Sequence, residues 1–159
     1  MNVWWTEVWV ALQQEFSDLA DPADITRVCI RLLVALILGA ALGYEREATG
    51  AAAGLRTHML VALGSALFMV IPYQAGMRIE DMSRVMQGLT SGIGFLGAGA
   101  ILKHKNQDVR GLTTAASLWL TAAVGVAAGM GLEGTALLSA ALGWVVLALL
   151  KQSKRQAQS

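Results

Sequence analysis

The chain has few charged residues, two prolines and a single cysteine. Charged side chains make up 14% of its 159 residues, whereas a soluble domain carries about 25%, so they are too few to cover a surface exposed to water. The one cysteine, Cys29, excludes an internal disulfide and a metal cluster built from cysteines. A net charge of +1 provides no strong basic field, so we predict no nucleic-acid partner.

Apolar residues, in contrast, make up 55% of the chain and are gathered in long runs, with a mean hydropathy of +0.55. Five runs are long enough to cross a bilayer as helices, which takes about 17–25 residues. They cover residues 27–45, 56–73, 84–102, 112–130 and 134–150. We expect Pro72 to end the second run, because proline interrupts helical hydrogen bonding. The predicted fold is an all-α membrane protein with five transmembrane helices in contact with the lipid bilayer.

The N-terminal residues 3–19 are too few and too polar to span a membrane. Their apolar side chains fall largely on one helical face, namely Trp4, Trp5, Val8, Trp9, Leu12 and Phe16. Tryptophan favours the membrane–water interface, so we predict a short amphipathic helix lying there, the alternative being a frayed chain end. The chain then divides into an interfacial helix and linker (1–23), a transmembrane domain (24–151) and a basic tail (152–159).

The basic residues predict the orientation of the chain. If the N-terminus lies outside, eight lysine and arginine residues fall on the inner side and four on the outer side. The inner residues are Arg46, Arg56, Lys103, Lys105, Arg110, Lys151, Lys154 and Arg155, and the outer ones are Arg27, Arg31, Arg78 and Arg84. Because basic residues concentrate on the cytoplasmic side, we expect the N-terminus outside and the tail in the cytoplasm.

Glycines are concentrated in the third run. Gly92, Gly94 and Gly97 fit the G-x-G-x-x-G pattern of dinucleotide-binding proteins. That pattern requires a preceding strand and an acidic residue about 20 positions later, but here it lies within an apolar run and Ser117 occupies that region. The surroundings therefore argue against a nucleotide site.

Two interpretations of the glycines remain open. Small residues let membrane helices pack closely, and four-residue spacing occurs in three runs, at Gly39 and Gly43, at Gly88 and Gly92, and at Gly125 and Gly129. Alternatively, the third run is a broken helix, because each glycine costs a helix about 1 kcal/mol and this run also contains Gly94, Gly97 and Gly99. Broken helices coordinate ions in transporters.

Two clusters of polar residues are predicted at the ends of the helices. The cytoplasmic-side cluster consists of Glu45, Arg46, Glu47, Arg56, Thr57, His58, Arg110, Thr113 and Thr114. It is either a structural network, in which Thr57 or Thr113 caps a helix, or a site for an ion or ligand. The periplasmic-side cluster consists of Asp81, Arg84, Gln87 and Ser91. There, Asp81 either caps the third helix or offers an oxygen ligand.

No metal site is assigned by the sequence. Asp81 and Glu45 are candidate ligands, since magnesium binds oxygen ligands and keeps several waters. His58 and His104 have no partner at the spacing of a zinc site, and no pairing of a nucleophile with a base is found. We therefore predict no enzymatic activity and no cofactor, with Mg²⁺ retained as a possible ligand or transported ion.

Four motifs together resemble the MgtC/SapB family of bacterial inner-membrane proteins over residues 30–150. They are GAALGYERE (39–47), AGLRTHMLVALGSALF (53–68), RVMQGLTSGIGFLGAGAIL (84–102) and VRGLTTAASLWLTAAVGVAAGMG (109–131). The resemblance implies a multi-pass inner-membrane protein linked to growth at low magnesium and, in some members, to survival in macrophages. The virulence-associated members are described as modulating ATP synthase.

The chain departs from the family pattern in two places. It contains about nine residues after the fifth run, so it is similar to a short form lacking the family's cytoplasmic C-terminal domain. The loop ATGAAAGLRTH is neutral until Arg56, where the family commonly has a basic loop. The loop therefore gives no support to partner binding through this segment.

Three functions are compatible with the sequence. The first is a regulatory membrane protein in magnesium homeostasis, acting through helix contacts within a homodimer or with other membrane proteins. The second is a transporter or channel for a small cation such as Mg²⁺, and the third is binding of a small molecule or lipid by the cytoplasmic-side cluster.

Overall fold

The computed structural model describes residues 3–15, 17, 21–103 and 109–156, and for residues 3, 102–103 and 149–156 it describes the backbone alone. It contains six helices and a two-stranded hairpin. The elements are α1 (Val3–Glu15), α2 (Pro22–Ala48), α3 (Leu55–Gln74), α4 (Ile79–Ala100), β1 (Leu102–Lys103), β2 (Val109–Arg110), α5 (Leu112–Gly129) and α6 (Glu133–Gln156). The predictions on Phe16, His104, Lys105 and residues 157–159 concern positions outside the described residues.

The all-α prediction for a membrane protein is confirmed, and each predicted span corresponds to one helix. Helices α2, α3 and α5 are long and apolar enough to cross a bilayer, and α6 contains a shorter apolar stretch, Glu133–Ala148. Helix α4 is less apolar, because it combines five glycines with charged residues in its first two turns. The hairpin, in which Leu102 pairs with Arg110, was not predicted and shortens the third predicted span by two residues.

Helices α3 and α5 begin at residues other than the predicted N-caps. Helix α2 begins at Pro22, five residues before the predicted span, and the Asp21 carboxylate caps it by accepting a hydrogen bond from the Ala23 amide at 3.0 Å. Gly54 and Gly111, however, occupy the N-cap positions of α3 and α5, so the predicted caps Thr57 and Thr113 are wrong. Gly111 has φ +93°, and a Cβ there would collide with the carbonyl of Ala100, which explains glycine at the hairpin end.

Pro72 does not end α3, which continues to Gln74. Proline removes only one hydrogen-bond donor, and the chain beyond it stays helical because the Ala75 amide donates to the Ile71 carbonyl at 3.0 Å. Helix α4 likewise begins at Arg78 as its N-cap, not at Asp81.

Helices α2, α3 and α5 pack together, with α6 against α2 and α5, and α4 mainly against α5. The core between them is rich in alanine and consists of Ala35, Leu38, Leu42, Ala62, Ala66, Val124, Ala128, Ala136 and Ala140. Small side chains bring the helix axes close together, which supplies the van der Waals contact that holds membrane helices together.

Four glycines lie at these close helix contacts. A Cβ on Gly39 would lie 2.8 Å from the Ala62 Cβ, and one on Gly43 would lie 2.8 Å from the Leu55 Cα. On α5, a Cβ on Gly125 would lie 2.9 Å from the Ala62 Cα, and one on Gly129 would lie 2.8 Å from the Ala66 Cα. No side chain fits at these distances, so glycine is required at these four contacts of α3 with α2 and α5.

The glycines of α4 have a different environment. The helix is continuous from Ile79 to Ala100, so the broken helix considered from the sequence is not formed. A Cβ on Gly97 would lie at an ordinary 3.6 Å from the Ala115 Cβ. A Cβ on Gly88, Gly92, Gly94 or Gly99 would meet no atom of the described residues within 4 Å. These four glycines therefore make no close contact within the described part of the chain.

Candidate functional site

Five polar side chains come together at one end of the bundle, where α2 ends and where α3 and α5 begin. We call this group the His58 cluster and define it as Glu45, Arg46, His58, Thr114 and Ser117. Glu45, His58, Thr114 and Ser117 are buried, and the Arg46 side chain is 11% exposed. The end of the bundle that carries this group is the His58 end, and the other is the Arg31 end.

His58 links α3 to α5 and is completely buried. Its Nδ1 lies 2.9 Å from the Gly54 carbonyl oxygen, which can only accept, so Nδ1 carries a proton. Its Nε2 lies 3.2 Å from the Ser117 hydroxyl, which donates to the Thr114 carbonyl at 2.8 Å. With its proton on Nδ1, the neutral ring has an acceptor at Nε2, which competes with the Thr114 carbonyl for the single Ser117 proton.

Glu45 and Arg46 form a buried ion pair next to this ring. The Arg46 Nη1 lies 3.8 Å from the Glu45 carboxylate, and the Arg46 Nη2 donates to the Thr114 hydroxyl at 3.4 Å. Neither the Glu45 carboxylate nor the Arg46 Nε has a hydrogen-bond partner among the described residues. Water or a small polar ligand that both donates and accepts could satisfy these groups.

The other predicted residues of the cytoplasmic-side cluster remain outside this group. The Glu47 carboxylate accepts a hydrogen bond from the Leu55 amide at 2.8 Å and so stabilises the first turn of α3. The remaining four, Arg56, Thr57, Arg110 and Thr113, are exposed. The structure therefore brings together four of the nine predicted residues, Glu45, Arg46, His58 and Thr114.

Sequence reasoning missed three buried hydroxyl residues near His58. On α5, Ser117 and Thr121 follow Thr114 at spacings of three and seven, which place all three on one helical face. On α3, Ser65 lies seven residues after His58 and is also buried, with no hydrogen-bond partner among the described residues. The spacings of three and seven residues were the signal in the sequence that could have identified these buried hydroxyl residues. Beyond Ser65, the bundle is filled by the apolar side chains of Ala66, Met69, Val124 and Ala128.

The predicted periplasmic-side residues do not form a buried site. Asp81, Arg84, Gln87 and Ser91 are all exposed on α4. Asp81 lies in the first turn of α4 at the Arg31 end, whereas Glu45 lies at the His58 end, so these candidate metal ligands belong to opposite ends. Within the described residues, no group of three histidine, cysteine or acidic side chains could hold a metal ion.

Arg31, named from the sequence only as one of the outer basic residues, makes contacts that were not predicted. Its Nη1 donates to the Gly129 carbonyl at 3.2 Å, near the C-terminus of α5. Its guanidinium carbon lies 4.7 Å from the centre of the Tyr73 ring at the end of α3. One cation on α2 thus contacts α3 and α5, in a position where the α5 dipole favours positive charge.

Replacing Arg31 by glutamine is expected to lower the free energy of unfolding by about 1–2 kcal/mol, because the cation–π contact and the charge at the helix end are lost. The change is measured by SDS titration of the purified protein in mild detergent. Arg27→Gln is the matched control, since Arg27 pairs with Asp24 on an exposed part of the same helix. Equal effects of the two substitutions would contradict this role of Arg31.

Comparison with known proteins identifies the family. The model of the MgtC family matches residues 32–156. SrpB of Synechococcus elongatus is 45% identical over 121 residues, which are 69% of this chain and 66% of SrpB. YhiD of Escherichia coli K12, which is named as a candidate magnesium transporter, is 40% identical over 77% of this chain and 60% of YhiD.

MgtC of Salmonella typhimurium LT2 is 44% identical over 64% of this chain and 43% of its own length. The chain thus spans between 43% and 66% of the lengths of these relatives. No solved structure matches the chain. With the family model covering most of the sequence and apolar helices of membrane-spanning length, the chain belongs to the MgtC family of membrane proteins.

Proposed function

We propose that this chain is a regulatory protein of the bacterial inner membrane that acts in adaptation to low magnesium. In this arrangement α2 to α6 cross the membrane, the N-terminus is outside, and the His58 end faces the cytoplasm. The link to magnesium is supported by the relationship to YhiD, which is named as a candidate magnesium transporter. The orientation is supported by the excess of basic residues on the proposed inner side.

The regulatory role is supported by the point inside the bundle at which polar side chains give way to apolar ones. Among the described residues, buried hydroxyls continue from the His58 cluster only to Ser65 and Thr121. Ala66, Met69 and Val124 then fill the space with no more than 1% exposure. A hydrated ion passing between α3 and α5 would have to separate these helices, which touch through Gly125 and Gly129. This sealed core therefore favours a regulatory protein that acts through contacts between helices over a protein that conducts ions.

A small-cation transporter is the alternative, because α4 carries the exposed polar residues Gln87 and Ser91 away from this core. A path along α4 would not need to cross the sealed region. Such a path would have Asp81 at its outer mouth, which makes this carboxylate the residue that separates the two functions.

Liposomes that contain the purified protein and a magnesium-sensitive dye are expected to take up magnesium no faster than empty liposomes. In parallel, the gene should restore growth in low magnesium to a bacterium from which it has been deleted. Uptake that is lost in Asp81→Ala, with Glu80→Ala as the matched control on the adjacent residue, would overturn the regulatory role. Failure to restore growth would overturn the link to magnesium.

A further inference from the structure

Helix α4 has a broad exposed face that combines glycine with polar side chains. This face consists of Arg84, Gln87, Gly88, Ser91, Gly92 and Phe95, all of which are exposed. Phe95 alone is 79% exposed. The helix packs on α5 through its opposite side, where Ile93 and Gly97 are buried. The exposed face is thus separate from the contacts that hold α4 to the bundle.

This face is unsuited to contact with lipid chains. With a rise of 1.5 Å per residue, Gln87 lies about 12 Å and Ser91 about 18 Å along a helix of about 33 Å. Both positions fall within the proposed membrane-spanning part of α4. A side-chain amide in hydrocarbon has no hydrogen-bond partner, and polar groups at this depth accordingly face protein or water.

Open space borders this face on the side of α3. Gly88 and Gly92 border a cleft of about 420 Å³ between α3 and α4, together with Phe68, Val85 and Leu96. A Cβ on either glycine would meet no atom of the described residues within 4 Å. These glycines thus permit close approach by a helix from outside the chain, as Gly125 does within it.

We propose that the occupant of this face is α4 of a second copy of the chain, related by a two-fold axis along the membrane normal. Two copies with the same orientation bring their α4 helices together in parallel, so identical residues meet at the same depth. Gln87 suits this arrangement, because a side-chain amide both donates and accepts and can pair with its own counterpart. The Ser91 hydroxyl has the same property, one turn deeper.

The charges at the Arg31 end are also self-complementary. Asp81 and Arg84 lie three residues apart on α4 and are both exposed. In the parallel pair, the carboxylate of each copy comes within reach of the guanidinium of the other, so both charges gain a partner. Lipid chains would offer no hydrogen-bond partner to the amide of Gln87, which lies inside the proposed span. The polar pattern therefore favours a second copy over lipid as the occupant.

The inference rests on the proposed placement of α4 in the membrane, and cysteine chemistry tests the two separately. In a Cys29→Ser background, Gly88→Cys and Ser91→Cys are oxidised in native membranes, with Leu138→Cys on the exposed face of α6 as the control. We expect disulfide-linked dimers from the two α4 positions at several times the control yield. The proposed dimer would be overturned if the α4 positions gave no more dimer than the control, if they gave no dimer at all, or if their disulfide-linked products had only masses other than that of a dimer.

Labelling of Gln87→Cys with a membrane-impermeant maleimide tests the placement. Protection until the membrane is solubilised is expected, whereas labelling in intact spheroplasts would remove α4 from the membrane and overturn the five-span arrangement together with this inference. Protection without dimers would overturn the inference alone.

A bulky side chain on the exposed face of α4 should weaken the dimer without unfolding the chain. Gly92→Leu is expected to reduce the dimer fraction at least tenfold in a titration of protein against lipid, followed by energy transfer between labelled copies. Gly134→Leu is the matched control, since Gly134 is also free of neighbours within 4 Å among the described residues but lies on α6. An unchanged dimer in Gly92→Leu would contradict the assigned surface.

Discussion

Leucine in place of Gly125 is expected to destroy the contact between α3 and α5. A Cβ at this position would collide with the Ala62 carbonyl and would lie 2.9 Å from both the Ala62 Cα and the Ser65 Cβ. Backbone atoms cannot rotate away, so the helices must separate over several residues. Overpacking of a close contact typically costs about 1–3 kcal/mol, and we expect a loss at or above the top of this range.

The effect is measured as the midpoint of thermal unfolding in mild detergent, together with the amount of protein that reaches the membrane. Ala123→Leu is the matched control, because it adds a leucine at an exposed position two residues earlier on the same helix. The control should unfold within a few degrees of the wild type. A Gly125→Leu protein as stable as this control would show that α3 and α5 are not packed as described.

Glutamine in place of Arg46 is expected to have the second largest effect. The substitution leaves the Glu45 side chain, which is 9% exposed, without the positive charge that lies 3.8 Å away. Removal of one partner from a buried pair typically costs about 3–5 kcal/mol, because the remaining charge is left uncompensated. The free energy of unfolding from SDS titration should fall by a few kcal/mol.

A double-mutant cycle separates the ion pair from general damage. Glu45→Gln combined with Arg46→Gln should recover a large part of the lost stability, since no uncompensated charge remains. The exposed pair of Arg78 and Glu80, whose side chains are 75% and 77% exposed, provides the matched control. Arg78→Gln should change stability by less than about 1 kcal/mol. A double variant no more stable than Arg46→Gln would argue against the pair as the cause.

Composition and the periodicity of apolar residues predicted the helical membrane fold, because a chain with so few charges must place most of its helices in lipid. Glycine spacing was less informative about contacts. Gly39 and Gly43 have the same spacing as Gly88 and Gly92, yet only the first pair lies against another helix of the chain. Spacing identifies a face on which close packing is possible, whereas the partner depends on where the helices settle in three dimensions.

The candidate site was predicted in part for a similar reason. Glu45, Arg46 and His58 stood out because ionisable residues are rare in apolar runs, but Ser117 and Thr121 resemble ordinary helix residues in sequence. The contact of Arg31 was missed because its partner is the Gly129 carbonyl, 98 residues away, and a backbone carbonyl leaves no mark in the side-chain pattern. Contacts with the main chain are therefore the part of such sites that sequence reveals least.

The length of α2 has a consequence for the energy of the ion pair. Its 27 residues extend over about 40 Å, whereas the hydrocarbon layer of a bilayer is about 30 Å thick. The helix must tilt or extend into the headgroups, and tilting shortens its projection on the membrane normal. In a thicker bilayer α2 stands more upright, which draws Glu45 and Arg46 towards the hydrocarbon. We infer that the contribution of this ion pair to the free energy of unfolding varies with the acyl-chain length of the host membrane.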